Sequence, residues 1–145
     1  MKRVSGQNKN GGKTSPVCNF GEHLTIDGYG GNPVKLNDRE TVLKFLEDLP
    51  EKTGMHKIIE PVIKEFAGNN IKDPGGYSGF VMIAESHISV HTFPNRKFVS
   101  IDVYTCKNGM QTEFICNYTK ELFGLAELEI NFIKRGTKYP MKNLA

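Results

Sequence analysis

The sequence predicts an α+β fold, a two-layer sandwich with one antiparallel β-sheet and helices on one face. Two observations carry this. Six short stretches read as β-strands, several by period-two alternation, and only two longer stretches place apolar residues at helical spacing. Their order, β-α-β-β-β-β-α-β, also suggests two β-α-β-β-like halves.

Met1 to about Val17 is rich in Lys, Asn, Gly and Ser and nearly free of apolar residues. Such a stretch cannot bury enough surface to offset the entropy of ordering, so residues 1–17 are expected to be a disordered tail. The folded domain is expected at residues 18–145. His23 to Tyr29 alternates into a Gly-rich turn and reads as a strand. Asn37 or Asp38 can cap a helix carrying Val42, Leu43, Leu46 and Leu49 on one face, ending before Pro50. Lys57 to Phe66 reads as a second strand, interrupted or flattened at Pro61, and Gly68 to Gly76 as a loop. Ser78–Ala84, Ile88–Phe93 and Phe98–Tyr104 read as three further strands. Thr112–Phe123 reads as a helix with Phe114, Ile115, Tyr118 and Leu122 inward, stopped by Gly124. Glu127 to Lys134 is the last strand.

The 145 residues fit one compact domain, small enough to gain from dimerisation. A formal charge of +3 is too weak to imply a nucleic-acid partner, and the basic residues near both ends read as solvated tails. No apolar run could span a membrane and none resembles a secretory leader. Three cysteines without a CxxC spacing argue against a disulfide framework and point to a reducing, cytoplasmic location.

The chemistry concentrates in one run, Glu85-Ser86-His87-Ile88-Ser89-Val90-His91-Thr92-Phe93-Pro94, followed by Ile101-Asp102-Val103-Tyr104-Thr105-Cys106. His87 and His91 are four apart; on a strand they share a face with Ser89. A zinc pair is rejected, since no further ligands stand at useful spacing. His87 reads as a satisfied core histidine.

This run resembles the self-processing site of the small bacterial and archaeal S-adenosylmethionine decarboxylases, with the likeness extending over about residues 20–140. Glu85-Ser86 matches the scissile pair, His91 stands five residues on, and Cys106 fifteen beyond that. The resemblance implies self-cleavage into residues 1–85 and 86–145, with Ser86 becoming a pyruvoyl group. That cofactor would condense with the substrate amine as a Schiff base and act as the electron sink that decarboxylation needs. The implied roles are Ser86 as nucleophile and pyruvoyl precursor, His91 as processing base and Cys106 as proton donor to the substrate. Ser78 would assist processing. The substrate would be S-adenosylmethionine and the product the aminopropyl donor for spermidine synthesis. Phe93 would stack the adenine. The family also implies a homodimer of cleaved protomers with active sites near the interface. Cys18 and Cys116 carry no such match and read as structural.

One position departs. Most relatives carry Glu directly after the Pro of the His-Thr-Trp/Phe-Pro run, where it binds the ribose; here it is Asn95, followed by Arg96 and Lys97. An amide can bond a diol without charge assistance. Two other readings therefore stand beside the first: a pyruvoyl-dependent arginine or ornithine decarboxylase of the same fold, and an uncleaved, non-catalytic homologue.

Overall fold

The computed structural model describes residues 17–69 and 71–145. The tail expected at residues 1–17 therefore lies, but for Val17, outside the described residues. The main sheet has six strands, all antiparallel, in the order β3-β4-β5-β6-β2-β7. They are β2 (Gly21–Tyr29), β3 (Val62–Phe66), β4 (Gly76–Ile83), β5 (Ser86–Phe93), β6 (Phe98–Thr105) and β7 (Glu127–Arg135). A small pair, β1 (Val17–Cys18) with β8 (Tyr139–Pro140), was not legible from alternation because two residues carry no period.

Period two sorts each central strand into two faces. Leu24 and Ile26 of β2, Val81 and Ile83 of β4, Ile88 and Val90 of β5, and Val99, Ile101 and Val103 of β6 all point one way and are buried. They form one core with α2 (Arg39–Lys52) and α3 (Thr112–Phe123). Phe45 of α2 is fully buried against Phe123 of α3, their ring centroids 5.6 Å apart. Burying a side chain of this size contributes roughly 1.5–3 kcal/mol. Among the described residues the opposite face of the sheet has no helix on it; it carries His23, Asp102, Tyr104, His87, Ser89, His91, Ser78, Phe80 and Met82.

Both long helices are capped as their sequences demand. Asp38 accepts from the backbone N–H groups of Glu40 and Thr41. Gly124 ends α3 at φ 62°, a left-handed position that costs glycine nothing. Four details differ from expectation. A short α1 (Pro33–Leu36), capped by Asn32, precedes α2. Helix α2 runs through Pro50 to Lys52. Pro50 forfeits one hydrogen bond in the last turn, but Leu49 and Pro50 are both buried and the Pro50 carbonyl still accepts from Met55. Strand β3 is confined to Val62–Phe66, with Lys57 making only an isolated bridge to Ile83, because Pro61 cannot donate to a ladder. Finally, α3 buries Ile115, Cys116, Thr119 and Phe123 while Phe114 is 39% exposed. Thr119 hides its hydroxyl on the Ile115 carbonyl at 2.7 Å, so a polar residue sits at the centre of the apolar face and disguises it.

Candidate active site

Ala84 and Glu85 form the two-residue turn of the β4–β5 hairpin, and Ser86 is the first residue of β5, paired with Ile83 across the turn and with Thr105 of β6. Ser86 has φ 150°. That region is essentially confined to glycine, and a side chain held there stores about 1–3 kcal/mol. The Glu85-Ser86 peptide is thus held in a strained conformation by the strand pairing on both sides of it. The backbone N–H of Cys106 donates to the Glu85 carbonyl oxygen at 2.7 Å. A hydroxyl adding to that carbonyl would place negative charge on this oxygen, where one donor already waits. Cys106 is next to Thr105, the cross-strand partner of Ser86, so register brings Ser86 and Cys106 together from twenty residues apart.

The Glu85 side chain folds back onto the segment after α2. Its carboxylate accepts from the His56 backbone N–H at 3.2 Å and lies 2.7 Å from His56 Nδ1. Burial pushes the Glu85 carboxyl up, but the bonds from His56 outweigh it and leave the group below its ordinary value. A second carboxylate holds the far side of the cysteine. Glu22, buried on β2, accepts from the N–H groups of Gly109 and Met110 and so anchors the loop that follows Cys106.

His91 and Ser78 form a separate cluster. They are directly opposite on β5 and β4, and His91 Nδ1 shares a 2.8 Å hydrogen bond with Ser78 Oγ. Five residues of strand separate His91 from Ser86, roughly 17 Å at the rise of an extended chain. One chain therefore does not bring His91 to Ser86. Phe93 lies further along the same strand and lines a cavity of about 620 Å³ with Tyr29, Phe98, Lys72, Asp73 and Arg96. Asn95 lines a different cavity, beside Glu65, Phe66 and Gly75. Lys97 closes the turn between β5 and β6 in a left-handed conformation.

His87 is not a core histidine. It falls on the helix-free face, exposed and edge-on to Tyr104 at 5.5 Å, because Ile88 and Val90 take the core positions. Cys116 is buried, and burial pushes its thiol up, as expected of a structural cysteine. The sequence reading missed His56, Glu22, Tyr29, Phe98 and Asp73. All but Phe98 lie far from the motif in the chain, and His56 meets Glu85 only because residues 56–58 run beside the end of β4.

The profile of a family described as S-adenosylmethionine decarboxylase matches residues 22–136. An S-adenosylmethionine decarboxylase proenzyme from Clostridium tetani (strain Massachusetts / E88) is 31% identical over 118 residues, covering 81% of this chain and 88% of the relative. One from Clostridium botulinum (strain Langeland / NCTC 10281 / Type F) is 34% identical over 116 residues, covering 80% and 94%. The crystal structure of an adenosylmethionine decarboxylase from Aquifex aeolicus VF5 superposes with a TM-score of 0.72 at 26% identity, covering 87% of this chain and 98% of that one. The profile over residues 22–136, the relatives covered over four-fifths of this chain and the superposed crystal structure agree: this chain belongs to the S-adenosylmethionine decarboxylase family.

Proposed function

We propose that the chain is a proenzyme that cleaves itself between Glu85 and Ser86 and then decarboxylates S-adenosylmethionine, supplying the aminopropyl donor for spermidine synthesis. The observation that carries this is Ser86, held at a glycine-only φ with the carbonyl before it already hydrogen-bonded by Cys106. The Ser86 hydroxyl attacks the Glu85 carbonyl; the C–N bond breaks, the new C–O ester forms, and the hydroxyl proton goes to the Ser86 nitrogen. A base then takes the Ser86 α-proton, the ester leaves as the Glu85 carboxylate, and hydrolysis releases ammonia. The residue left is a pyruvoyl group, and a Ser at a strained turn with Cys106 beside it fits that product. A pyruvoyl group held at residue 86 would supply the electron sink that loss of carbon dioxide from the substrate needs. Cys106 stands beside residue 86 to return a proton to that carbon.

His91, tied to Ser78, is the processing base in this reading. Its distance from Ser86 along β5 implies a shared site. Among the described residues nothing covers the helix-free face, and Phe80 and Met82 are more than 40% exposed on it. A two-fold homodimer through this face would set the Ser86–Cys106 end of one chain against His91 and Ser78 of the partner. Each site would then draw on both subunits.

The Phe93 cavity suits the substrate. Phe93, Phe98 and Tyr29 offer ring faces to adenine and sulfonium, and the Asp73 carboxylate stands among them. Arginine and ornithine carry no adenine for these rings to stack, which disfavours them. Asn95 would contribute from a second cavity, which Phe66 also lines. Cys18, Cys106 and Cys116 are all free thiols, in keeping with a cytoplasmic location. Among the described residues no helix is long and apolar enough to cross a membrane.

Denaturing intact-mass spectrometry tests the cleavage. Two chains are expected, one ending at Glu85 and one beginning at residue 86, the latter lighter by one ammonia than the Ser-started peptide. Ser86→Ala should give one whole chain. A wild-type protein that stays whole after long incubation would overturn the proposal. Carbon dioxide release from S-adenosylmethionine, and none from arginine or ornithine, identifies the substrate.

A further inference from the structure

We propose that His56 is a positioning residue for self-cleavage, holding Glu85 by its side chain so that the strained Ser86 cannot relax. This rests on the self-cleavage reading above.

A strained φ persists only where the surroundings over-determine it. On the downstream side Ser86 is fixed by ladder bonds to β4 and β6. Upstream, Ala84 and Glu85 are turn residues with no ladder of their own. A two-residue turn could absorb the strain by rotating the Glu85-Ser86 peptide. His56 removes that freedom at three points. Its carbonyl accepts from the Ala84 N–H at 2.8 Å. Its own N–H donates to both Glu85 carboxylate oxygens, at 3.2 and 3.3 Å. Its Nδ1 lies 2.7 Å from Glu85 Oε1, the length of a charge-assisted bond. Glu85 is thus gripped at its carboxylate by His56 and at its carbonyl by Cys106. Rotation of the peptide would stretch one grip or the other.

The grip does not hold up the fold. The His56 side chain is 78% exposed, whereas that of Glu85 is 15% exposed. Truncating His56 therefore removes the ring contact and leaves the core and the backbone bonds in place. The consequence falls on the first covalent step, transfer of the Glu85 acyl group from the Ser86 nitrogen to its oxygen. That step is an isomerisation, with the hydroxyl proton passing to the nitrogen, and needs no co-reactant.

The experiment follows cleavage of freshly made full-length protein over time by intact mass, in wild type, Ser86→Ala, His56→Ala and His56→Asn. Asparagine keeps an N–H close to the position of Nδ1. Hydroxylamine is added to a parallel sample, since it cuts an ester and spares an amide. The expected result is cleavage about ten-fold slower in His56→Ala, the loss of one charge-assisted bond. Its uncut remainder should resist hydroxylamine, and His56→Asn should recover most of the rate. His56→Ala cleaving within two-fold of wild type overturns the proposal. So does a slow variant whose remainder is hydroxylamine-labile, because the delay would then follow the acyl transfer. So does His56→Asn being as slow as His56→Ala. A wild type that never cleaves while Ser86→Ala also stays whole overturns the self-cleavage reading itself, a result distinct from all three.

Discussion

Strain at Ser86 can be measured without any catalysis, by comparing two precursors that cannot cleave. Ser86→Ala and Ser86→Gly both lack the hydroxyl. Alanine keeps a Cβ and must bear φ 150°, whereas glycine adopts it freely. Relief of the strain should stabilise the Gly variant by about 1–3 kcal/mol. Glycine also gives the unfolded chain more freedom, which offsets about 0.4–1 kcal/mol. The net expectation is a Gly precursor more stable by about 1 kcal/mol, which raises the melting temperature by roughly 2–4 °C for a domain of this size. Urea and thermal melts at one fixed protein concentration make the comparison, since a dimer's stability depends on concentration. The usual sign of an Ala-to-Gly change is destabilising. A Gly variant no more stable than the Ala variant would show that Ser86 is relaxed, and the case for a primed scissile bond would fall.

Three further outcomes are expected. Cys106→Ala should still cleave, because the donor to the Glu85 carbonyl is the backbone N–H, which alanine retains. It should lose turnover on S-adenosylmethionine as protonation goes astray, and a variant that turns over normally for many cycles would have a different proton donor. Co-expressing His91→Ala chains with Ser86→Ala chains should restore cleavage of the former, since a mixed dimer completes one site; His91→Ala alone should stay whole. Absence of complementation in a mixed dimer detected by native mass would mean that each chain supplies its own base. Cys116, buried and with its thiol pushed up by burial, should resist iodoacetamide at neutral pH until denaturant is added. Labelling it as fast as Cys106, read by peptide mass, would contradict the packing of α3.

Much of this protein was legible in the chain. All six strands of the main sheet were legible, and the central ones alternate clearly because their core positions carry Leu, Ile and Val and a one-residue slip would turn them to the solvent. The run holding Glu85-Ser86, His91 and Cys106 carried the resemblance to the family to which the chain belongs. The errors came where one residue did two jobs. Thr119 is polar yet buried, and Pro50 breaks helices in general yet sits in the last turn of α2.

Only the tertiary structure decided which of the named residues lie together. Local patterns report which way a side chain points along its own strand, but not what lies beside it on the next one. Register places Cys106 against Ser86 and His91 against Ser78, while leaving those two pairs apart on β5. The grip of His56 on Glu85 spans twenty-nine residues and exists only through the close approach of residues 56–58 to the end of β4. The strain at Ser86 likewise belongs to no local preference of serine. It arises where the ladders to β4 and β6 hold Ser86 on one side and the contacts of His56 and Cys106 hold Glu85 on the other.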